Sequence, residues 1–352
     1  MIQKGSIAAS SQIKREKMDN WKALLKADPS DWLLEKENPS VRYFALKQIL
    51  DRPEDDPAVL EAKNQIMEYG IVPEILQKQQ DPACLQTYHR FYTYKYKGLI
   101  WSLITLAELG AAPVPQIREQ CEYLLTNSQE IQDGGFSQNT AVKTGGGRIA
   151  EVIPCLTGNM VWALIQFGYL DDPRLQKGIG WLTRYMRFND GTEDDPQVPP
   201  YDRLEMCWGR HTCHMGVVKA LKALSAIPEE KRTPAVQDTI HKAAEFMLTH
   251  HIYKRSHDLN RTAKPGWLRF GFPLMYQTDV LEILDILSGL GVRDARMDDA
   301  LELVVSRQDD TGRWRVGNTY ASDRLLVPFG QKGDQSKWLT LRAMRILKRL
   351  AD

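Results

Sequence analysis

Apolar side chains recur along this chain two helical turns apart, and the recurrence itself repeats. A proline opens a helix-like segment at Pro57, Pro115, Pro173 and Pro234, with Ala295 in the fifth place, at spacings of 58, 58, 61 and 61 residues. Two residues after each opener stands an apolar side chain (Val59, Ile117, Leu175, Val236, Met297). Seven residues further stands another (Ile66, Leu124, Leu182, Ala243, Val304). Seven residues make two turns, so each pair lies on one buried face. Proline suits the first helical position, where its missing N–H costs no hydrogen bond.

Between these segments runs a second, more apolar series, at roughly 41–50, 98–109, 158–167, 216–226, 279–290 and 339–350. Several of its members are apolar on more than one face, which requires burial on all sides. Residues 19–34 supply a further outer helix before the first of them. The last segment, KWLTLRAMRILKRL, reads as another inner member and not as the polar cap that an open solenoid needs. The pattern therefore predicts an all-α fold: a single (α/α)6 toroid over residues 19–352, with no strands, after a flexible tail at residues 1–18.

The connections are unequal. Those from inner to outer helices are short, whereas those from outer to inner cover about 80–97, 132–157, 188–212, 251–278 and 308–338. Long loops in a compact domain are usually functional. All of these fall over the N-termini of the inner helices, where converging N–H groups favour an anion. The site is predicted at that mouth.

Composition narrows the class. Of 352 residues 43% are hydrophobic and 26% charged, and 46 Lys and Arg against 45 Asp and Glu leave a charge of +1. No global field draws such a chain to nucleic acid. No apolar run reaches the length of a membrane span, the first residues lack a signal-peptide core, and five cysteines form no secreted framework. The expectation is a soluble cytoplasmic protein, with peripheral membrane contact left open.

Three short motifs add to the period: QDGGF at 132–136, RQDDTGRW at 307–314 and the weaker Asn189-Asp190-Gly191. With them the chain resembles the terpenoid cyclase and protein prenyltransferase toroids, above all the bacterial prenyltransferase/squalene-oxidase-repeat proteins. The resemblance implies the toroid and a small apolar or isoprenoid substrate in its lumen. It is incomplete, because neither the D-x-D-D acid nor a D-D-x-x-D metal–diphosphate motif occurs. Glu193-Asp194-Asp195 is the nearest approach, with Thr192 where an Asp would be needed.

The densest chemical cluster is CWGRHTCH, with Cys207, His211, Cys213 and His214, and Cys155 precedes the neighbouring inner helix. Thiolate and imidazole are zinc-type ligands, and helix N-termini stabilise thiolate. Toroids with zinc at this end include lanthionine cyclases, whose Cys-His-Gly the TCHMG stretch resembles with Met215 inserted. Zinc is therefore expected as the cofactor. Basic residues at the mouth, among them Arg210, Arg255 and Arg269, suit an anionic head group. Trp162, Trp208, Trp267, Phe272 and Trp338 suit an apolar chain. Asp279 at an inner-helix start is the candidate general acid if burial raises its pKa, and otherwise complements the helix dipole. His257 and Tyr276 are the other catalytic candidates in those loops. Three functions follow: an isoprenoid transferase or cyclase, a zinc-dependent enzyme acting on a thiol or peptide, or a non-catalytic binding protein.

Overall fold

Proline does what the pattern requires of it: Pro57, Pro115, Pro173 and Pro234 each occupy the first position of a helix. The structure, a computed structural model, describes residues 20–191, 193–194, 196–319 and 324–351. The expected tail at residues 1–18 lies outside the described residues, as do Thr192, Asp195 and the loop aromatic Tyr320. Twelve described helices have nine residues or more. The more apolar series comprises α1 (Pro39–Gln48), α4 (Leu99–Glu108), α6 (Pro154–Gln166), α8 (His214–Ser225), α10 (Val280–Gly289) and α12 (Lys337–Ala351). The others are α2 (Pro57–Glu68), α3 (Ile71–Gln79), α5 (Pro115–Asn127), α7 (Pro173–Tyr185), α9 (Pro234–Thr249) and α11 (Asp298–Ser306). The protein is mainly α-helical.

Side-chain caps fix several starts. Asn38, Asp56, Asp172, Thr233 and Asp279 each accept a backbone N–H from the first turn of the helix they precede. Four starts lie earlier than the apolar pattern implies, those of α1, α6, α8 and α12, the first two because Pro39 and Pro154 themselves open the helices. Of the outer helix expected at 19–34, the described residues 20–34 do not form one helix. A 3-10 turn at Trp21–Leu24 and a four-residue helix at Ser30–Leu33 take its place, since Pro29 cannot continue a helix through its own N–H. The fifth outer segment likewise begins as a 3-10 turn, Ala295–Met297, before α11. Strands were not foreseen, yet β1 (Lys254–Arg255) and β2 (Asp258–Thr262) pair antiparallel.

Consecutive helices pack as pairs: α1 on α2, α4 on α5, α6 on α7, α8 on α9 and α10 on α11. The apolar helices also pack on one another, α4 on α6, α6 on α8, α8 on α10, α10 on α12, and α12 back on α1. The α6–α8 contact is close enough to demand glycine. A Cβ on Gly158 would stand 2.4 Å from the carbonyl carbon of Lys219.

The repeated motifs are joints of this framework. After α5, the Gln129 amide donates to Gly134 O and to Arg174 O of α7 at 2.8 and 2.7 Å. After α11, Gln308 donates to Leu24 O at 2.9 Å. The aromatic residue that ends each motif donates its backbone N–H to a threonine on the next apolar helix: Phe136 to Thr157 at 2.9 Å, Trp314 to Thr340 at 3.0 Å. Arg174 grips Glu122 of α5, and Arg296 grips Glu245 of α9, each held by the Asp two residues before it. No helix among the described residues is long and apolar enough to cross a membrane.

Candidate functional site

Helices that are mostly apolar nevertheless carry charges inward. Glu108 ends α4, Lys219 and Lys222 lie on α8, Glu282 and Asp285 on α10, and Arg342, Arg345 and Arg349 on α12. Charges on such helices need partners or a cavity. Here they have both. A cavity of about 330 Å³ lies between α1, α4, α6, α8, α10 and α12. That volume falls at the lower end of the range for small-molecule sites and would hold about ten waters.

The cavity runs along α10 and α12 from Glu282 and Trp338 to Gly289 and Arg349, and touches only the C-terminal ends of α4, α6 and α8. Trp338, Glu282 and Arg342 are buried, whereas Gln166 and Gly289 are exposed, so the cavity opens at the C-terminal ends of these helices. The long loops over the N-termini lie at the other end, where the mouth was expected.

An ion-pair network forms the wall. Lys219, wholly buried, donates to both oxygens of Glu282 at 2.8 and 2.7 Å. Lys222 bridges Glu282, at 3.4 Å, and Glu108, and its ammonium stands 3.8 Å over the Trp162 ring. Arg342 donates to Glu108 at 3.2 Å and lies 3.6 Å from Asp285. Asp285 also accepts from Arg345 and Arg349. Burial alone would push the Glu282 carboxyl up, but Lys219, Lys222 and Arg342 outweigh it and hold the group at about 2. Glu108 and Asp285 are likewise held below the ordinary carboxylate range against burial, by Lys222 and Arg342 and by Arg345 and Arg342 respectively. The wall is thus ionic at neutral pH. Four cations line it against three carboxylates.

Two predicted residues line this cavity, Trp162 and Trp338. Phe272 stands directly behind Trp338, its ring stacked at 4.4 Å and 5°. Trp208 packs instead against Trp181 and Tyr201, and Trp267 against His214. Arg210 and Arg269 are exposed, Arg255 lies in β1, and His257 sits exposed in the hairpin turn. None of these lines the cavity. Asp279 is fully buried and caps α10, accepting from Glu282 N at 2.8 Å and Gly271 N at 3.0 Å. Burial pushes its carboxyl up to about 6, but it is not part of the cavity wall. Tyr276 belongs to an aromatic group at the other end. There the Lys95 ammonium lies 4.5 Å from the Tyr276 ring and 4.6 Å from Tyr92, and burial pushes the Tyr276 hydroxyl up to about 12.

The proposed zinc ligands separate into two groups. Cys155, Cys207 and Cys213 are near enough for Cys155 to feel both other thiols, and burial pushes Cys207 up to about 12. His214 turns away, against Phe246, His250 and Trp267, and burial lowers it to about 3. His211 faces Asp190 at 3.4 Å, as does His250, and Ser256 donates to the same carboxylate. Among the described residues, no three His, Cys, Asp or Glu side chains gather into a group that could hold a metal ion. No protein-family model matches the chain, and no curated protein matches it either.

Proposed function

We propose that the helix pairs form a six-hairpin α/α toroid and that the protein binds a small anionic molecule in the cavity between its inner helices. The 58 to 61 residue period supports the toroid, as does the packing of α12 back on α1. One observation carries the ligand class: the cavity wall holds Lys222, Arg342, Arg345 and Arg349 against Glu108, Glu282 and Asp285. Phe44, Trp162, Ile286 and Leu341 add apolar wall for the rest of the molecule. A short isoprenoid diphosphate, of the kind that the likeness to terpenoid cyclases and prenyltransferases implies, belongs to this class. A long polyprenyl chain would need more apolar lining.

With its three carboxylates held ionised, the wall offers charge stabilisation and no carboxylic proton at neutral pH. That agrees with the missing D-x-D-D motif. The reading is binding, with any chemistry resting on stabilised charge.

Thermal unfolding in the presence of inorganic phosphate, diphosphate, geranyl diphosphate and geraniol tests it. A ligand at a hundredfold excess over its dissociation constant adds about 2.7 kcal/mol. The anions should raise the midpoint and the alcohol should not. Equal shifts for alcohol and anions, or none for any, would overturn the reading.

The thiol and imidazole pattern of residues 207–214 supports a second reading, a zinc-dependent toroid acting on a thiol, although no three such side chains gather into a group among the described residues. One equivalent of zinc in chelator-free protein, lost in Cys213→Ser, would support it. No metal after reconstitution would remove it.

A further inference from the structure

At the end of the helices away from the cavity opening, a lysine faces rings instead of acids. Lys95 lies in the long loop before α4, and its ammonium stands 4.5 Å from the Tyr276 ring, 4.6 Å from Tyr92 and 5.8 Å from Trp101. It reaches the Tyr92 hydroxyl at 3.5 Å. Among the described residues no carboxylate pairs with it. Trp101 belongs to the first turn of α4, where the helix dipole disfavours a positive charge.

The rings are held in place by their neighbours. Trp101 Nε1 donates to Tyr92 O at 2.9 Å. The Tyr96 ring stacks on Tyr276, and its hydroxyl accepts from Gln277 at 2.8 Å. Tyr92 and Trp101 are buried, whereas Lys95 and Tyr276 are half-buried, so the amine can be reached from solvent.

Ring faces attract an ammonium, but they do not replace the hydration that burial removes. A lysine desolvated without an acid to hold its charge gives up its proton more readily, and burial lowers Lys95 from its ordinary 10.5. Burial acts the other way on Tyr92, whose hydroxyl keeps its proton well beyond neutral pH. A readily deprotonated amine thus stands beside a phenol that stays protonated.

We propose that Lys95 is a nucleophilic amine that forms an imine with an aromatic aldehyde, with the Tyr92 hydroxyl as proton donor. The Nζ lone pair attacks the carbonyl carbon, the C–N bond replaces the π bond to oxygen, and one proton passes from nitrogen to oxygen. The hydroxyl of this carbinolamine then leaves as water with the Tyr92 proton. The nitrogen lone pair closes the C=N bond, and the proton still on nitrogen returns to the Tyr92 oxygen. The step needs no oxidant or cofactor. The rings beside the amine receive the aldehyde's own ring by stacking.

The test incubates the full chain with benzaldehyde at pH 7 and quenches it with borohydride at timed intervals, which fixes each imine as a benzyl-lysine. Peptide mass spectrometry then gives a rate at every lysine. Lys95 should react at least tenfold faster than the exposed Lys143, although it is the less accessible of the two. Tyr92→Phe keeps the ring and removes the hydroxyl, and should slow Lys95 about tenfold while leaving Lys143 unchanged. Modification of Lys95 no faster than of Lys143, or at a rate that Tyr92→Phe leaves unaltered, overturns the proposal. Should Tyr92→Phe fail to fold, the wild-type ratio of the two lysines decides alone. Neither result depends on anion binding in the cavity, which Lys95 does not line.

Discussion

Gln308 binds Lys26: its Oε1 accepts the Lys26 backbone N–H at 3.0 Å, while its Nε2 reaches Leu24 O at 2.9 Å. One buried amide thus joins the turn after α11 to the first described turn of the chain. Lys26 returns the contact with its ammonium on Gln308 O at 3.1 Å.

Gln308→Ala should therefore destabilise the protein by about 1–2 kcal/mol, since it removes the hydrogen bonds to the half-buried Leu24 carbonyl and to Lys26 N–H. Chemical denaturation measures this directly. Exchange of the Lys26 amide should accelerate in the same variant, and a change under about 0.5 kcal/mol would show that the joint is dispensable.

Gly158→Ala tests the α6–α8 contact. The new methyl would meet the Lys219 backbone, at 2.4 Å from its carbon and 2.5 Å from its oxygen, and backbone cannot turn aside as a side chain can. The helices must separate, at a cost of about 1–3 kcal/mol or more. Because Lys219 moves with its backbone, anion binding in the cavity should weaken as well. A neutral effect on both would mean that the contact is loose.

Lys219→Met leaves Glu282 without its shortest ion pair in a buried position. Breaking a buried pair from one side costs about 3–5 kcal/mol. Adding Glu282→Gln should recover part of that loss, and the double-mutant cycle gives the coupling between the two. Additive losses would show that Lys222 and Arg342 alone hold Glu282.

Asp279 sets a pH dependence. Burial raises its carboxyl from an ordinary 3.8 to about 6. A group whose folded pKa lies above its unfolded one contributes stability that is complete below the unfolded value and lost as pH rises through the folded value. The window is therefore pH 3.8 to 6, and the shift corresponds to about 3 kcal/mol. Asp279→Asn cannot ionise, but it sets an amide against Gly271 N–H and so begins at a disadvantage near pH 4. That disadvantage should shrink by pH 8. A gap between variant and wild type that stays constant with pH would show that Asp279 titrates normally.

The helices were legible because burial at a fixed period writes itself into composition: Val59 and Ile66, or Leu175 and Leu182, are both buried as their spacing implies. Irregular segments left weaker marks. Pro29, read as part of a helix, stands just before the short helix Ser30–Leu33, and the KRSHDLNRT stretch forms a hairpin without alternating apolar residues. The cavity was missed for a different reason. Long loops, cysteines and histidines all point to the helix N-termini. The signal that would have found it was Lys219, Lys222, Glu282 and Arg342, charges on helices otherwise too apolar to face water. Trp162 and Trp338 were named for their rings. Their neighbours on the same faces were not.

The arginines of the cavity also bear on the order of assembly. Arg342, Arg345 and Arg349 belong to α12, which leaves the ribosome after the other five helices of the wall. Chains fold as they emerge, at about 5–20 residues per second. Until α12 arrives, Asp285 has none of its three guanidinium partners and Glu108 has only Lys222. In any compact state formed before α12 arrives, these carboxylates are incompletely neutralised. Helix α12 enters as a positively charged stopper drawn to that charge, and the anion site comes into being only with this final step.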